Sequence, residues 1–210
     1  MPPAGKRGKY LGFVAHELKN PLATALWSAD LLKRMEAPDR TGERADKMID
    51  VSLRALRRMR RLIDDFFTIE RLLEHGYELK REPVEVVALV DAALQILAEK
   101  DGFETASWEV QVGALPTTGD VEMLKRCVRA AIEHMARGAP KPRLSLRSEG
   151  NALLIRADAP PSPLIPPPPE DRQSGDPAGA VLGFALAAAI LEAHGGRIEE
   201  RDGALSLVFG

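Results

Sequence analysis

Phe13–Leu22 reads FVAHELKNPL, and this stretch decides how the first third of the chain is read. The flanking residues are strongly helical in pattern, yet Pro21 stands inside the run. A proline there removes a backbone hydrogen bond and crowds the carbonyl four residues back, that of Glu17, at a cost of roughly 3 kcal/mol. Working outward from Pro21, apolar residues keep a heptad from Lys9 to about Glu36: Leu11, Leu18, Ala25 and Leu32 in one register, Val14, Pro21 and Met35 in the other, with Ser28 as the gap. One long helix is expected despite the proline, with a local bend at Pro21 that frees the Glu17 carbonyl. In this register His16 falls opposite the apolar seam and should face solvent. Exposed imidazoles titrate near pH 6.5 and serve as nucleophiles or proton carriers, and the adjacent Glu17 can orient a ring nitrogen.

The helix should end at Ala37–Glu43, APDRTGE, where Pro38, Asp39 and Gly42 are turn formers. A second helical pattern runs from about Arg44 to Leu73 through Met48, Val51, Ala55, Met59, Leu62, Phe66, Ile69 and Leu73. Two long amphipathic helices joined by a short turn form an antiparallel hairpin. One hairpin cannot bury both stripes alone, so a homodimeric four-helix bundle is expected. Arg54, Arg57, Arg58, Arg60 and Arg61 read as a solvated face of the second helix, or as a docking surface for an acidic partner.

After EHGYELKREPVEV the rhythm changes. Helices are expected over Val87–Lys100, Val121–Arg137 and Gly179–Ala193, with strands at Trp108–Val112, Arg143–Ser148, Leu153–Ala157, Arg197–Arg201 and Leu205–Phe209. This is an α+β layer. The expected domains are residues 1–76, the helical hairpin, and 82–210, the α/β sandwich. Asp158–Pro177 holds about half of the chain's 16 prolines and reads as an exposed, stiff loop or spacer.

Composition narrows the partners. The 210 residues contain Lys+Arg 29 against Asp+Glu 31, a formal net charge of -2, which argues against nucleic acid or an anionic membrane as main partner. A hydrophobic fraction of 45% suffices for a core. The only cysteine, Cys127, excludes an internal disulfide and suits a reducing compartment, so a cytoplasmic setting is expected. MPPAGKRGKYLGF has basic residues with no apolar segment after them, unlike a secretory signal, and the longest apolar run, Ala178–Leu191, falls short of the roughly 20 residues a spanning helix needs.

FVAHELKNPL, followed by a hairpin whose second helix ends LIDDFFTIERLLEHGYELKREPVEV, resembles the dimerisation and phosphotransfer domain of two-component sensor histidine kinases. The resemblance implies that His16 accepts the phosphoryl group, that Glu17 assists its transfer, and that Asn20 positions a water during dephosphorylation of a partner regulator. Lys19 has no implied role. The second half resembles the ATP-binding domain of the same family, most clearly in VLGFALAAAILEAHGGRIEERDGALSLVFG.

The second half also departs from that pattern. Where the family holds Mg²⁺ with an asparagine, DVEMLKRCVRAAIEHMARG places His134, with Ala130 at the preceding asparagine. Neutral imidazole is a poor ligand for hard Mg²⁺, so His134 is expected to be a partly buried helix residue. Asp158 would recognise adenine, but Pro160 and Ser162 replace the glycines of the first glycine box. GAVLGFA keeps Gly179 and Gly183 of the second and puts Val181 between them. The phosphate lid has Arg172 as its only obvious cation. His194 and the Gly195-Gly196 pair read as a helix end and turn, with the imidazole complementing the dipole. The expectation is a phosphorelay protein in which His16 exchanges a phosphoryl group with the aspartate of a response-regulator receiver domain, with no cofactor and no metal site. If the chain is instead an ATP-dependent histidine kinase core, ATP and Mg²⁺ are implied, with Asp158, Gly179 and Gly183 on the nucleotide. A third reading is a non-catalytic adaptor that binds a regulator.

Overall fold

The computed structural model describes residues 5–74, 77–99, 103, 106–166 and 178–210, with backbone only at 5–13, 37–38 and 178–181. The chain divides into two compact units, the first running to Phe67 and the second beginning at Thr68.

The first unit is a helical hairpin. Helix α1 spans Gly5–Arg34, α2 spans Glu43–Leu73, and a 3₁₀ turn, Ala37–Thr41, joins them. Arg40 fastens the turn by donating from Nε to the Met35 carbonyl and from Nη2 to the Lys33 carbonyl, each at 3.0 Å. The helix runs through Pro21 without interruption, and Pro21 is buried. Val14, Pro21, Ala25 and Ser28 of α1 are buried, as are Ala45, Ala55, Leu62 and Phe66 of α2. The seam read from the heptad is therefore the one that closes, with Leu11 outside the described side chains. Ser52 Oγ approaches the Ala25 carbonyl at 3.5 Å and fixes the level at which the helices face each other.

A second apolar stripe was not read from the sequence. Leu22 and Leu26 on α1, with Ile49, Leu53, Leu56, Ile63 and Phe67 on α2, remain exposed. At about 100° per residue, both sets lie about 100° round from their own seam in the same rotational sense. In antiparallel helices that places both on one side of the hairpin. Arg54, Arg57, Arg58, Arg60 and Arg61 are all exposed.

The second unit has a five-stranded sheet in the order β2-β4-β5-β7-β6, with β2 (Ser107–Gln111) parallel to β4 (Arg143–Glu149) and the remaining pairs antiparallel. β5 spans Ala152–Ala157, β6 Arg197–Arg201 and β7 Ala204–Val208. Helices α3 (Val86–Ala98), α4 (Val121–Met135, extended by a 3₁₀ turn to Gly138) and α5 (Ala178–Ala193) supply the other layer. Leu144 and Leu146 are buried while Arg143 and Arg147 on either side of them are exposed and Ser145 between them is half-buried, the period of two that a half-solvated sheet requires. Leu153, Ile155, Leu205 and Leu207 continue the core, closed from the helices by Leu89, Leu97, Leu124, Ile132, Met135, Leu182 and Ile190. The β6–β7 hairpin turns on Asp202 and Gly203, both at positive φ (51° and 71°), the type I′ geometry that suits strand twist.

A small antiparallel pair, β1 (Glu82–Glu85) with β3 (Pro116–Gly119), was not expected from the sequence. Each has four residues and includes a proline, too short and too polar for a period-two signal.

Candidate functional site

On α1, His16 is the exposed member of the motif: its side chain is 72% accessible, whereas that of Glu17 is 9%. Consecutive helix positions differ by about 100°, so a histidine opposite the seam forces its neighbour toward the seam's edge. Glu17 Oε1 lies 3.5 Å from His16 Nδ1. A carboxylate at Nδ1 favours the tautomer with hydrogen there, leaving the lone pair on Nε2 facing solvent. Asn20, one turn further along on the same face, is exposed, as is Lys19. Its backbone carbonyl accepts a hydrogen bond from Thr24 Oγ1 at 3.0 Å, a local i to i−4 bond just beyond Pro21.

In the second unit, the residues singled out in α4, α5 and the proline-rich stretch meet in an unexpected way. His134, near the end of α4, is 4% exposed. Its Nε2 lies 2.7 Å from the Leu164 carbonyl, which can only accept, so Nε2 carries the hydrogen. Nδ1 is buried with no partner, and the ring stands 4.9 Å from that of Phe184 on α5. Burial holds the imidazole below its ordinary range; the Leu164 carbonyl works against this and Arg137 adds to it. Leu164 is buried within an otherwise accessible segment. The described part of the expected exposed spacer thus carries an anchor, while Arg172 lies outside the described residues.

Asp158 is exposed just past β5 and lines an open cavity of about 560 Å³ together with Ser107, Trp108, Arg143, Ser145 and Arg156. Gly179 and Gly183 both lie in α5, and space beside Gly183 is open. Nothing brings Asp158 and these glycines together among the described contacts.

His194 is held for structural reasons. Its Nδ1 donates to the Ile190 carbonyl at 2.7 Å, and its Nε2 accepts from the backbone amide of Asp120 at 2.9 Å. Burial lowers its affinity for a proton, so it is neutral and uses both nitrogens in the fold, rather than serving as a cation at the helix end. Asp120 in turn caps α4, its Oδ1 accepting from the Met123 amide at 3.1 Å, and its Oδ2 accepts from the Lys80 amide at 3.3 Å.

Residues 6–74 match the model of the His Kinase A (phospho-acceptor) domain. The hairpin is similar to a histidine kinase phospho-acceptor domain. Across 95% of its length the chain is also 28% identical to the sensor protein SphS of Synechococcus elongatus, of which it covers 52%, so the chain spans about half the length of this curated relative. Among solved structures it is similar to the Acinetobacter baumannii histidine kinase AdeS, with a TM-score of 0.68 at 17% identity, covering 93% of this chain and 98% of that one. It is similar also to the histidine kinase ThkA in complex with response regulator protein TrrA, with a TM-score of 0.60 at 17% identity, covering 96% of this chain and 60% of that one. At these identities the structural likeness establishes the fold: helical hairpin, then α/β domain, in the order of a sensor histidine kinase core. No helix among the described residues is long and apolar enough to cross a membrane.

Likeness to histidine kinases implies ATP and Mg²⁺, and the described residues at the expected metal and first glycine-box positions do not fit them. The ring at the expected metal position has spent one nitrogen on the Leu164 carbonyl, buried the other, and lies against Phe184. Hard Mg²⁺ takes oxygen ligands, and among the described residues no group of three or more His, Cys, Asp or Glu is placed to hold a metal. Pro160 and Pro161 offer no amide to a phosphate. Sequence reading found His134 but not its partners. Leu164 is an aliphatic residue among prolines, a faint signal of an anchor, and nothing in the sequence pairs it with α4.

Proposed function

We propose that this chain transfers phosphoryl groups through His16 in a two-component phosphorelay. The observation that carries the reading is an exposed imidazole whose Nδ1 meets the carboxylate of the buried Glu17. In this reading Nε2 of His16 attacks phosphorus of a receiver-domain phospho-aspartate, the N–P bond forms as the P–O bond to the carboxylate breaks, and the aspartate leaves as its carboxylate. Glu17 stabilises the positive charge that develops on the ring by accepting the Nδ1 hydrogen bond, and Asn20 positions a water when a phosphorylated partner is hydrolysed. The reverse step returns the phosphoryl group to a second receiver. The receiver brings its own acidic pocket, so no step requires a nucleotide on this chain. A response regulator is the partner, in keeping with the ThkA complex, and a second copy of the hairpin covers the stripe of Leu22, Leu26, Ile49, Leu53, Leu56, Ile63 and Phe67. Residues 1–76 form the phosphotransfer and dimerisation domain and 82–210 a nucleotide-independent domain, working in the cytoplasm.

A second reading, autophosphorylation of His16 from ATP, is favoured by the likeness of the whole chain to kinase cores and opposed by the contacts of His134. One experiment separates them: the purified protein and its His16→Ala variant are incubated either with a ³²P-charged receiver domain or with γ-labelled ATP and Mg²⁺. Acid-labile label on the wild type from the receiver and none from ATP is the expected result. His16-dependent label from ATP would replace the relay reading with the kinase one. Label from neither donor, with the regulator still bound by the His16→Ala variant, would make the chain an adaptor.

A further inference from the structure

We infer that Ala159–Ile165 is an internal strap, latched by His134, that closes the end of the α4–α5 layer against a nucleotide. Independent contacts hold it. At its start, the backbone of Ala159 and Pro160 lies so close to Gly138 that a Cβ on that glycine would overlap the Ala159 carbonyl. The approach is possible only because residue 138 has no side chain. At its far end, the Leu164 carbonyl takes the Nε2 hydrogen of His134 and the Leu164 side chain is buried. Phe184 of α5 backs the ring that makes this bond.

The composition of the strap suits closure and not ligand binding. Residues 159–165 contain Pro160, Pro161 and Pro163 and no charged side chain. Prolines limit the freedom of the unlatched segment, so latching costs less conformational entropy. They also leave backbone amides only at Ala159, Ser162, Leu164 and Ile165, too sparse a set to cradle phosphates as a glycine-rich loop does. The imidazole that the family resemblance sets at the metal position has become the donor that holds the segment shut.

Thiol labelling tests the latch. Cys127 is buried and its thiol is pushed up to about 12 by burial, so a Leu164→Cys variant of the whole chain reports on the strap against a silent background. The substitution leaves the Leu164 backbone carbonyl, and with it the bond from His134. Labelling should be slow in Leu164→Cys alone and at least tenfold faster when His134→Asn or Gly138→Ala is added. His134→Gln, whose amide can still donate to the carbonyl, should restore slow labelling. A rate in Leu164→Cys already equal to that of the unfolded chain, or unchanged by both opening substitutions, overturns the latch. For exclusion, a fluorescent ATP analogue with Mg²⁺ should bind Gly138→Ala, which opens the strap without adding a metal ligand, at least tenfold more tightly than the wild type, and no gain in that variant overturns that role. Neither readout involves a phosphoryl group on His16, so failure here leaves the relay reading standing and failure of the relay leaves the strap standing.

Discussion

Replacing His194 by alanine should destabilise the second unit by about 3 kcal/mol. The ring fills a buried site, 5% exposed, and satisfies the Asp120 amide at 2.9 Å. Truncation orphans that donor in the interior, which costs about 1–3 kcal/mol, and the lost burial of the ring adds a term of similar size. The Ile190 carbonyl contributes little to the loss, because it also accepts from the His194 backbone amide at 3.2 Å. The amide of Asp120 stands at the cap of α4, so the orphaned donor lies where the helix begins. The chain has two tryptophans, Trp27 on α1 and Trp108 in β2, so a Trp27→Phe background makes Trp108 the reporter of the second unit. With a urea slope near 2 kcal/mol/M, the midpoint of His194→Ala should fall by about 1.5 M. His194→Gln, whose carbonyl oxygen can accept from Asp120, should recover part of the shift. A fall of less than about 0.3 M at unchanged slope would refute the assignment of His194 to the fold and reopen it as a functional residue.

Both buried imidazoles, His134 and His194, have proton affinity lowered first by burial from the ordinary 6.5, so their contribution to stability is fully present above that pH. As pH falls below 6.5 the unfolded chain binds protons that the folded one refuses, and the urea midpoint should drop; a His134→Gln, His194→Gln double variant should show a flatter profile between pH 5 and 7. Cys127, whose Sγ donates to the Ala187 carbonyl, should resist thiol reagents in the native protein at pH 8 and react completely in denaturant. Leu56→Glu, in the middle of the exposed stripe at 50% accessibility, should convert the proposed dimer to monomer in sedimentation velocity while leaving helix content unchanged. A monomeric wild type would refute that pairing.

The hairpin and the outward placement of His16 were legible in the sequence because both depend on short-range periodicity. A 3.6-residue repeat fixes which residues form the seam, and once Val14, Pro21, Ala25 and Ser28 face inward, His16 must face out. The same repeat concealed the second stripe: Leu53 and Leu56 share a helix with a stronger seam, and a reading tuned to one face passes over the other. The core strands Arg143–Glu149 and Ala152–Ala157 announced themselves by alternation or a continuous apolar run. Four-residue β1 and β3 had neither. What tertiary structure alone decided are the contacts between residues far apart in the chain. His134 and Leu164 are 30 positions apart, His194 and Asp120 are 74, and no local pattern pairs them. The sequence marks both histidines as structural, but it cannot name the atoms that hold them. Whether an imidazole remains a reagent depends on which atoms meet its nitrogens, and that is set by how the helices, loop and turn close on one another.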